Sequence, residues 1–230
     1  MVLIYIIRHG ETDMNTSGKV NDANIDTSIN AKGKKQAKKT GEYLKKVRKL
    51  NGSNCVIYTS PAMRAVQTAT IIKNEINRKL KMQSDERLLE TSKGILSGLS
   101  KTDKLNKKYS NDIDKALKKG DTLHNRERIT DVLNNINPKY GVEPIAVIKK
   151  RVVDFFNNLP MDKPNVVIVT HAGIVTSILI HVMRIMQIIN GDQSRGKNCT
   201  ITAMEKTVSK KNPIYTLLTF PNTEHLWLFL

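Results

Sequence analysis

The sequence predicts an α/β fold: a three-layer α/β/α arrangement with a mostly parallel central sheet and a small inserted helical cap. Three observations predict it. Residues 2–7 and 166–169 are short β-branched apolar runs, and 55–59 is a similar run between them. Such continuous hydrophobicity marks strands buried on both faces. Amphipathic helical stretches alternate with these runs. Two later runs, 200–204 and 215–220, flank a polar turn near 210–213, the pattern of a hairpin at one side of a sheet.

Each element follows in order. Residues 2–7 read as the first strand and 10–30 as a loop, with Gly18 among many Asn, Asp, Thr and Ser residues. Residues 31–50 read as a helix: Ala37, Thr40, Leu44 and Val47 recur at spacings of three and four, and lysines fill the other face. Asn51-Gly52-Ser53 stops it, and 55–59 is the second strand. Ser60-Pro61 opens the next helix, serine capping the free amides and proline taking the first helical position, with an end near Leu80. Residues 87–100 are a glycine-punctuated loop. Residues 101–137 are polar, with patchy helical character at 113–117 and 129–136. The cap is placed here, at about 95–141, inserted within one domain spanning 1–230. Residues 144–159 return to helix with Ile145, Ile148, Val152 and Phe155 on one face; 166–169 is the third strand and 174–189 the helix after it.

Composition narrows the classes. The chain has 230 residues, 39% hydrophobic and 26% charged, enough for one sizeable core and against global disorder. Its net charge of +17 is largely lysine, as at 32–49 and 101–119. Such charge attracts polyanions. It is spread along the chain, with no arginine-rich arm and no basic stretch interleaved with aromatics. It therefore reads first as a solvated lysine surface, with non-specific polyanion binding as the functional alternative. Cys55 and Cys199 make neither a disulfide framework nor a C-x-x-C pair, so a reducing, cytoplasmic setting is expected. The run at 2–7 lacks a basic flank and a small-residue cleavage site, so it reads as a strand and not as a signal peptide. Residues 174–189 carry His181, Arg184 and Gln187, and the run Leu226-Trp227-Leu228-Phe229-Leu230 is short; neither reads as a membrane span.

Two segments carry the chemistry. Arg8-His9-Gly10-Glu11-Thr12 follows the first strand, and Thr170-His171-Ala172-Gly173 follows the third. Loops leaving the carboxyl ends of strands are where open α/β sheets bind ligands. A histidine nitrogen can attack phosphorus, and an adjacent arginine can hold phosphoryl oxygens bidentately. Arg64 stands in the first turn of the helix after the second strand, where free amides and the positive dipole end favour an anion. Taken singly, each has a plainer reading: a structural histidine, or an arginine on a solvated helix face. They converge only if their strands are neighbours, which sequence does not decide. No H-E-x-x-H or Asp-rich metal motif is present, and His124, His181 and His225 read as incidental or structural.

Together these segments resemble the histidine phosphatase superfamily, the phosphoglycerate mutase-like branch. The R-H-G-E-T box matches at residues 8–12, with Asn15 at the position of the asparagine in the extended box. The S-P-x-x-R-x-x-Q-T-A box matches at residues 60–69, and the second-histidine box at 170–173. A looser match places Gly33 and Gln36-Ala37 on the family's G-x-x-Q-A. The resemblance is thin across 101–141.

The resemblance implies roles. His9 would be the nucleophile that carries a transient phosphoryl group. Arg8, Arg64 and His171 would hold its oxygens, with Asn15 as a further phosphate-binding residue. Glu90, in Arg87-Leu88-Leu89-Glu90 ahead of Gly94 and Gly98, would be the general acid and then base. The arginines and His171 would supply the positive charge, so no metal and no cofactor is expected. His9, flanked by Arg8 and Arg64, should have a lowered pKa. The expected partner is a small phosphorylated substrate. True mutases extend the glutamate loop with an arginine and a tyrosine, whereas Thr91-Ser92-Lys93 stand here. Their paired arginines have only a loose counterpart in Arg126 and Arg128, and 141–144 only loosely resembles the family's G-E-S box. The usual glycine near Val20-Asn21-Asp22 is also missing. A metal-independent phosphomonoesterase acting through phosphohistidine is therefore the expected activity. The alternatives are a phosphoglycerate mutase using the same intermediate and a catalytically silent anion-binding module.

Overall fold

The computed structural model describes residues 1–117, 126–160, 162–183, 197–209, 212–222 and 226, with backbone alone at 126–131, 209, 212 and 220–222. Of the expectations above, His124, His225, residues 184–189 and 227–230, and Lys210 and Lys211 of the expected turn lie outside the described residues.

Among the described residues, six strands form one mixed sheet: β1 (Val2–Arg8), β2 (Cys55–Thr59), β3 (Met82–Ser84), β4 (Asn165–Thr170), β5 (Ile201–Ser209) and β6 (Asn212–Asn222), ordered β3-β2-β4-β1-β5-β6. The first four strands in that order run parallel, and β5 and β6 form the expected antiparallel hairpin at one side. The interleaved helices are α1 (Asp13–Thr16), α2 (Ala31–Lys46), α3 (Met63–Ile76), α4 (Lys104–Ala116), α5 (Arg126–Tyr140), α6 (Ile145–Asn157) and α7 (Ala172–His181).

The apolar runs are continuous because both faces of the sheet are covered. From β1, Ile4 and Ile6 face one way and pack with Val152, Phe155 and Phe156 of α6 and with Ile174 and Ile178 of α7. Tyr5 and Ile7 face the other way and join Leu44 of α2 and Ala65, Ala69 and Ile72 of α3. These are the three layers. Helices α4 and α5 lie off this stack. With Tyr109 and Tyr140 edge to face at 4.9 Å, they build a small cluster around Leu96, Tyr140 and Val142.

The structure corrects four local readings. Helix α2 stops at Lys46 and not near Leu50, and Val47 is 50% exposed rather than on the core face. The chain turns before Asn51, with Lys49 at φ 57°. Helix α3 starts at Met63, with Ala62 as its cap residue and no side-chain cap, and ends at Ile76 rather than Leu80. Ser60 is not the cap because its hydroxyl is taken elsewhere, as described below. Helix α1 interrupts the expected loop at 10–30, and strand β3 lies between the expected helix end and the loop from Arg87, where the sequence predicts no element. Only three residues of β3 pair, and two of them are exposed, so no apolar run announces it. Helix α1 is a single turn held by a reciprocal cap between Thr12 and Asn15.

Candidate active site

Parallel pairing decides what meets at the sheet edge. Arg8 of β1 pairs with Thr170 of β4, and Thr59 of β2 pairs with Val169 of β4. The ladder continues one step past each strand: the His9 amide donates to the Thr170 carbonyl at 2.9 Å, and the Ser60 amide to Val169 at 2.9 Å. His9, Ser60 and His171 therefore leave three adjacent strands at one level. The rings of His9 and His171 lie 5.2 Å apart.

Hydrogen bonding sets the protonation of each ring. His9 Nδ1 is 2.8 Å from the Gly10 carbonyl oxygen, which can only accept. The proton therefore sits on Nδ1, and Nε2 keeps its lone pair in the neutral ring. His9 is 4% exposed; burial first, then the charges of Arg8 and Arg64, hold its pKa well below the usual 6.5.

His171 has the opposite tautomer. Arg64 Nε–H donates to its Nδ1 at 3.2 Å, so Nε2 carries the proton and donates to Ser60 Oγ at 2.8 Å. Ser60 Oγ also accepts from the Ala62 amide at 3.3 Å. This is the engagement that withdraws Ser60 from capping α3. Burial, then His9 and the arginines Arg64, Arg8 and Arg151, push the His171 pKa well down.

Arg64 is fully buried. Besides His171 it donates to the Ile25 carbonyl at 2.8 Å and to the Asp22 carbonyl at 2.9 Å, which ties the 20–30 loop to α3. Burial lowers its pKa, and the nearby Glu90 charge works against that. The Asp22 carboxylate, itself buried, accepts from Ser97 Oγ and the Lys93 amide, which joins the same loop to the one after Glu90.

Glu90 sits over the first turn of α7. Its carboxylate accepts the Gly173 amide at 3.1 Å and its neighbour Thr91's amide at 2.9 Å. A Cβ at residue 173 would meet Glu90 Oε1, so the glycine of the second-histidine box makes room for this carboxylate.

Asn15 is joined to the site through a residue that sequence reasoning missed. Asn198 Nδ2 donates to the His9 carbonyl at 3.0 Å and to Asn15 Oδ1 at 3.1 Å. Nothing around Asn198 in the sequence signals this; its neighbours before 197 carry no motif. The G-x-x-Q-A segment is also structural support. Gln36 accepts the Glu11 amide at 3.0 Å, and Gly33 packs against Glu11 so closely that a Cβ would lie 2.3 Å from its carbonyl oxygen. The structure thus brings His9, Arg64, His171 and Glu90 together, with the Arg8 charge acting on the first three. Side chains of Arg126 and Arg128 lie outside what is described.

An anion entering here would meet a buried lone-pair nitrogen, two guanidinium charges and a carboxylate beside them. Comparison with known proteins points the same way. The model of the histidine phosphatase superfamily (branch 1) matches residues 4–213. The chain is 32% identical over 132 residues to a 2,3-bisphosphoglycerate-dependent phosphoglycerate mutase of Thermoplasma acidophilum, covering 55% of this chain and 62% of that one. It is 29% identical over 148 residues to the uncharacterized phosphatase PhoE of Bacillus subtilis, covering 64% and 71%. The first alignment thus spans about three fifths of the relative's length. Among solved structures, Bacillus stearothermophilus YhfR superposes with a TM-score of 0.75 at 20% identity, covering 98% of this chain and all of that one. A phosphoglycerate mutase from Bacillus anthracis superposes with a TM-score of 0.72 at 20% identity, covering 98% and 95%. With its motifs assembled at one sheet edge and the family model spanning most of its length, the chain belongs to the histidine phosphatase superfamily, branch 1.

Proposed function

We propose that the protein is a phosphomonoesterase that works through a phosphohistidine at His9 and needs no metal ion. The observation that carries this reading is the His9 tautomer: Nδ1–H is committed to the Gly10 carbonyl, so Nε2 offers its lone pair beside Arg64 and His171. His9 Nε2 attacks phosphorus, and the bond to the ester oxygen breaks. Glu90, protonated, gives its proton to the departing alkoxide. Arg8 and Arg64 neutralise charge on the phosphoryl oxygens, and Asn15 adds a donor. A water then attacks the phosphohistidine, Glu90 takes the water's proton, and His9 and inorganic phosphate are released. His171 is neutral with both nitrogens engaged. To hold a phosphoryl oxygen through Nδ1 it must gain a proton there as Arg64 Nε turns to the same anion.

The substrate in this reading is a small phosphorylated ester. The whole chain forms one domain in which α4 and α5, within about 95–141, are the cap that selects it. The phosphoserine phosphatase of Entamoeba histolytica, of the same fold (TM-score 0.67 at 21% identity, covering 98% of this chain and all of that one), is solved with 3-phosphoglyceric acid. Phosphorylated hydroxy acids are therefore the first esters to assay. The mutase reading is favoured by the Thermoplasma relative. It is disfavoured by Thr91-Ser92-Lys93, which follow Glu90 in place of the arginine and tyrosine of the true mutases' loop.

The test is single-turnover mixing with a chromogenic phosphate ester in EDTA, wild type beside His9→Ala. The expected result is a burst of leaving group with acid-labile, base-stable protein phosphate, both absent in the variant. Full activity of His9→Ala would overturn the reading. Isomerisation of 3-phosphoglycerate without phosphate release would select the mutase. Anion binding with no turnover of any ester would select the silent module.

A further inference from the structure

Glu90 is carried on a loop that has no regular hydrogen-bonding ladder of its own. Residues 86–88 make one 3-10 turn and 94–96 another, and no helix or strand lies between them. A general acid on such a segment needs something else to fix its backbone. The structure supplies it from α6. Arg151 Nη1 donates to the carbonyls of Arg87 at 2.8 Å and Leu89 at 2.7 Å, and Nη2 reaches the Glu90 carbonyl at 3.5 Å. The same guanidinium makes a two-pronged pair with Glu143, Nε to Oε1 at 2.8 Å and Nη2 to Oε2 at 3.0 Å. Glu143 grips the far end of the loop: its Oε2 accepts the Ser92 amide at 3.3 Å, and its own amide donates to the Ser92 carbonyl at 3.0 Å.

The geometry points to the Glu143–Arg151 pair as the device that positions the Glu90 carboxylate for proton transfer. The inference rests on the acid and base role given to Glu90 above. A guanidinium has five N–H donors, and the five contacts just described use them all. Arg151 therefore has none left for a phosphoryl group. It acts through Glu90 and is a positioning residue, not a catalytic one. Both partners are mostly buried, at 16% and 17% side-chain exposure, so the fork is shielded from competing water. Lysine at 151 would keep the charge but cannot hold three carbonyls and a carboxylate in one plane.

The test uses two esters that differ in their need for a proton. p-Nitrophenyl phosphate has a leaving group that departs as a stable anion, whereas glycerol phosphate releases an alkoxide that must be protonated. kcat/KM on each is measured for wild type, Glu90→Gln, Arg151→Lys and Glu143→Gln, with thermal melts confirming folding. Glu90→Gln should fall far more on glycerol phosphate than on the aryl ester. Arg151→Lys should show the same split, about tenfold or more on the alkyl ester and little on the aryl ester. Glu143→Gln should repeat it in smaller measure, and it carries the comparison if Arg151→Lys does not fold. An equal loss on both esters, or no loss, in the folded Arg151 and Glu143 variants overturns the inference while leaving Glu90's role intact. Absence of the split in Glu90→Gln overturns the acid role itself, and the positioning inference falls with it.

Discussion

The Glu90 carboxylate rests on the amide of Gly173 at 3.1 Å, and a Cβ built on residue 173 would stand 2.4 Å from Glu90 Oε1. The glycine after the second histidine is thus matched to a side chain 83 positions earlier. Gly173 lies in the first turn of α7, away from positive φ, so its backbone suits alanine. The atom in the way is the far end of a flexible side chain. Gly173→Ala should therefore keep or slightly raise stability, by up to about 1 kcal/mol from helix propensity. At the same time it should displace the carboxylate and lower kcat/KM on alkyl phosphates by about tenfold or more. Melting temperature and initial rates on one preparation check this. Wild-type rates from the variant would refute it.

Gly33 makes the contrasting case. A Cβ there would meet Glu11 backbone, its carbonyl oxygen at 2.3 Å and its amide nitrogen at 2.7 Å. Backbone cannot swing aside as a carboxylate can. Gly33→Ala should push α2 off the loop that carries Arg8 to Thr12, costing about 1–3 kcal/mol and lowering activity with it. Urea denaturation read beside the Gly173→Ala protein gives the comparison, and equal stability of the two variants would contradict it.

Ser60→Ala removes the acceptor for the His171 Nε2–H, and His171 is fully buried. An unpaired buried donor costs about 1–3 kcal/mol. Arg64 Nε can only donate, so it still holds Nδ1 as an acceptor and the proton on Nε2. Expected are a lower urea midpoint and an unchanged tautomer in the 15N imidazole spectrum of His171. A switch to the Nδ1–H tautomer would show that Ser60, and not Arg64, sets the ring.

The two lowered histidine pKa values make stability depend on pH. Unfolded imidazoles titrate near 6.5, and both folded rings titrate well below that. Above about pH 7 neither state takes up these protons, and the linkage vanishes. Below 6.5 the unfolded chain binds protons that the folded one refuses, so stability falls as pH drops toward the folded values. The slope approaches about 1.4 kcal/mol per pH unit for each histidine. Urea melts between pH 7.5 and 5.5 should show this loss, with a shallower slope in His9→Gln. Parallel slopes would exclude His9 as a contributor.

Much of the fold was legible because hydrophobic periodicity reports local burial. The run at β1 is apolar at every position because both faces are covered, and Ala37, Thr40 and Leu44 of α2 are buried as their spacing implies. Val47 follows the same spacing yet is exposed, because the helix has already ended and spacing carries meaning only while the helix continues. Strand β3, short and half exposed, left no pattern to read.

The sequence by itself determined which residue types are available for chemistry and roughly where each leaves its strand: His9, Arg64 and His171, each at an element boundary. It also determined that both sheet faces would be buried. Only the tertiary structure decided that β4 lies between β1 and β2, which sets His9 beside His171. It alone decided the two opposite tautomers, which depend on Gly10, Ser60 and Arg64, the last 107 positions from His171. It alone revealed Asn198 and the Glu143–Arg151 pair. The physical reason is range. Propensity and periodicity act over a few residues, whereas strand order and hydrogen-bond partners are set by which distant surfaces pack together.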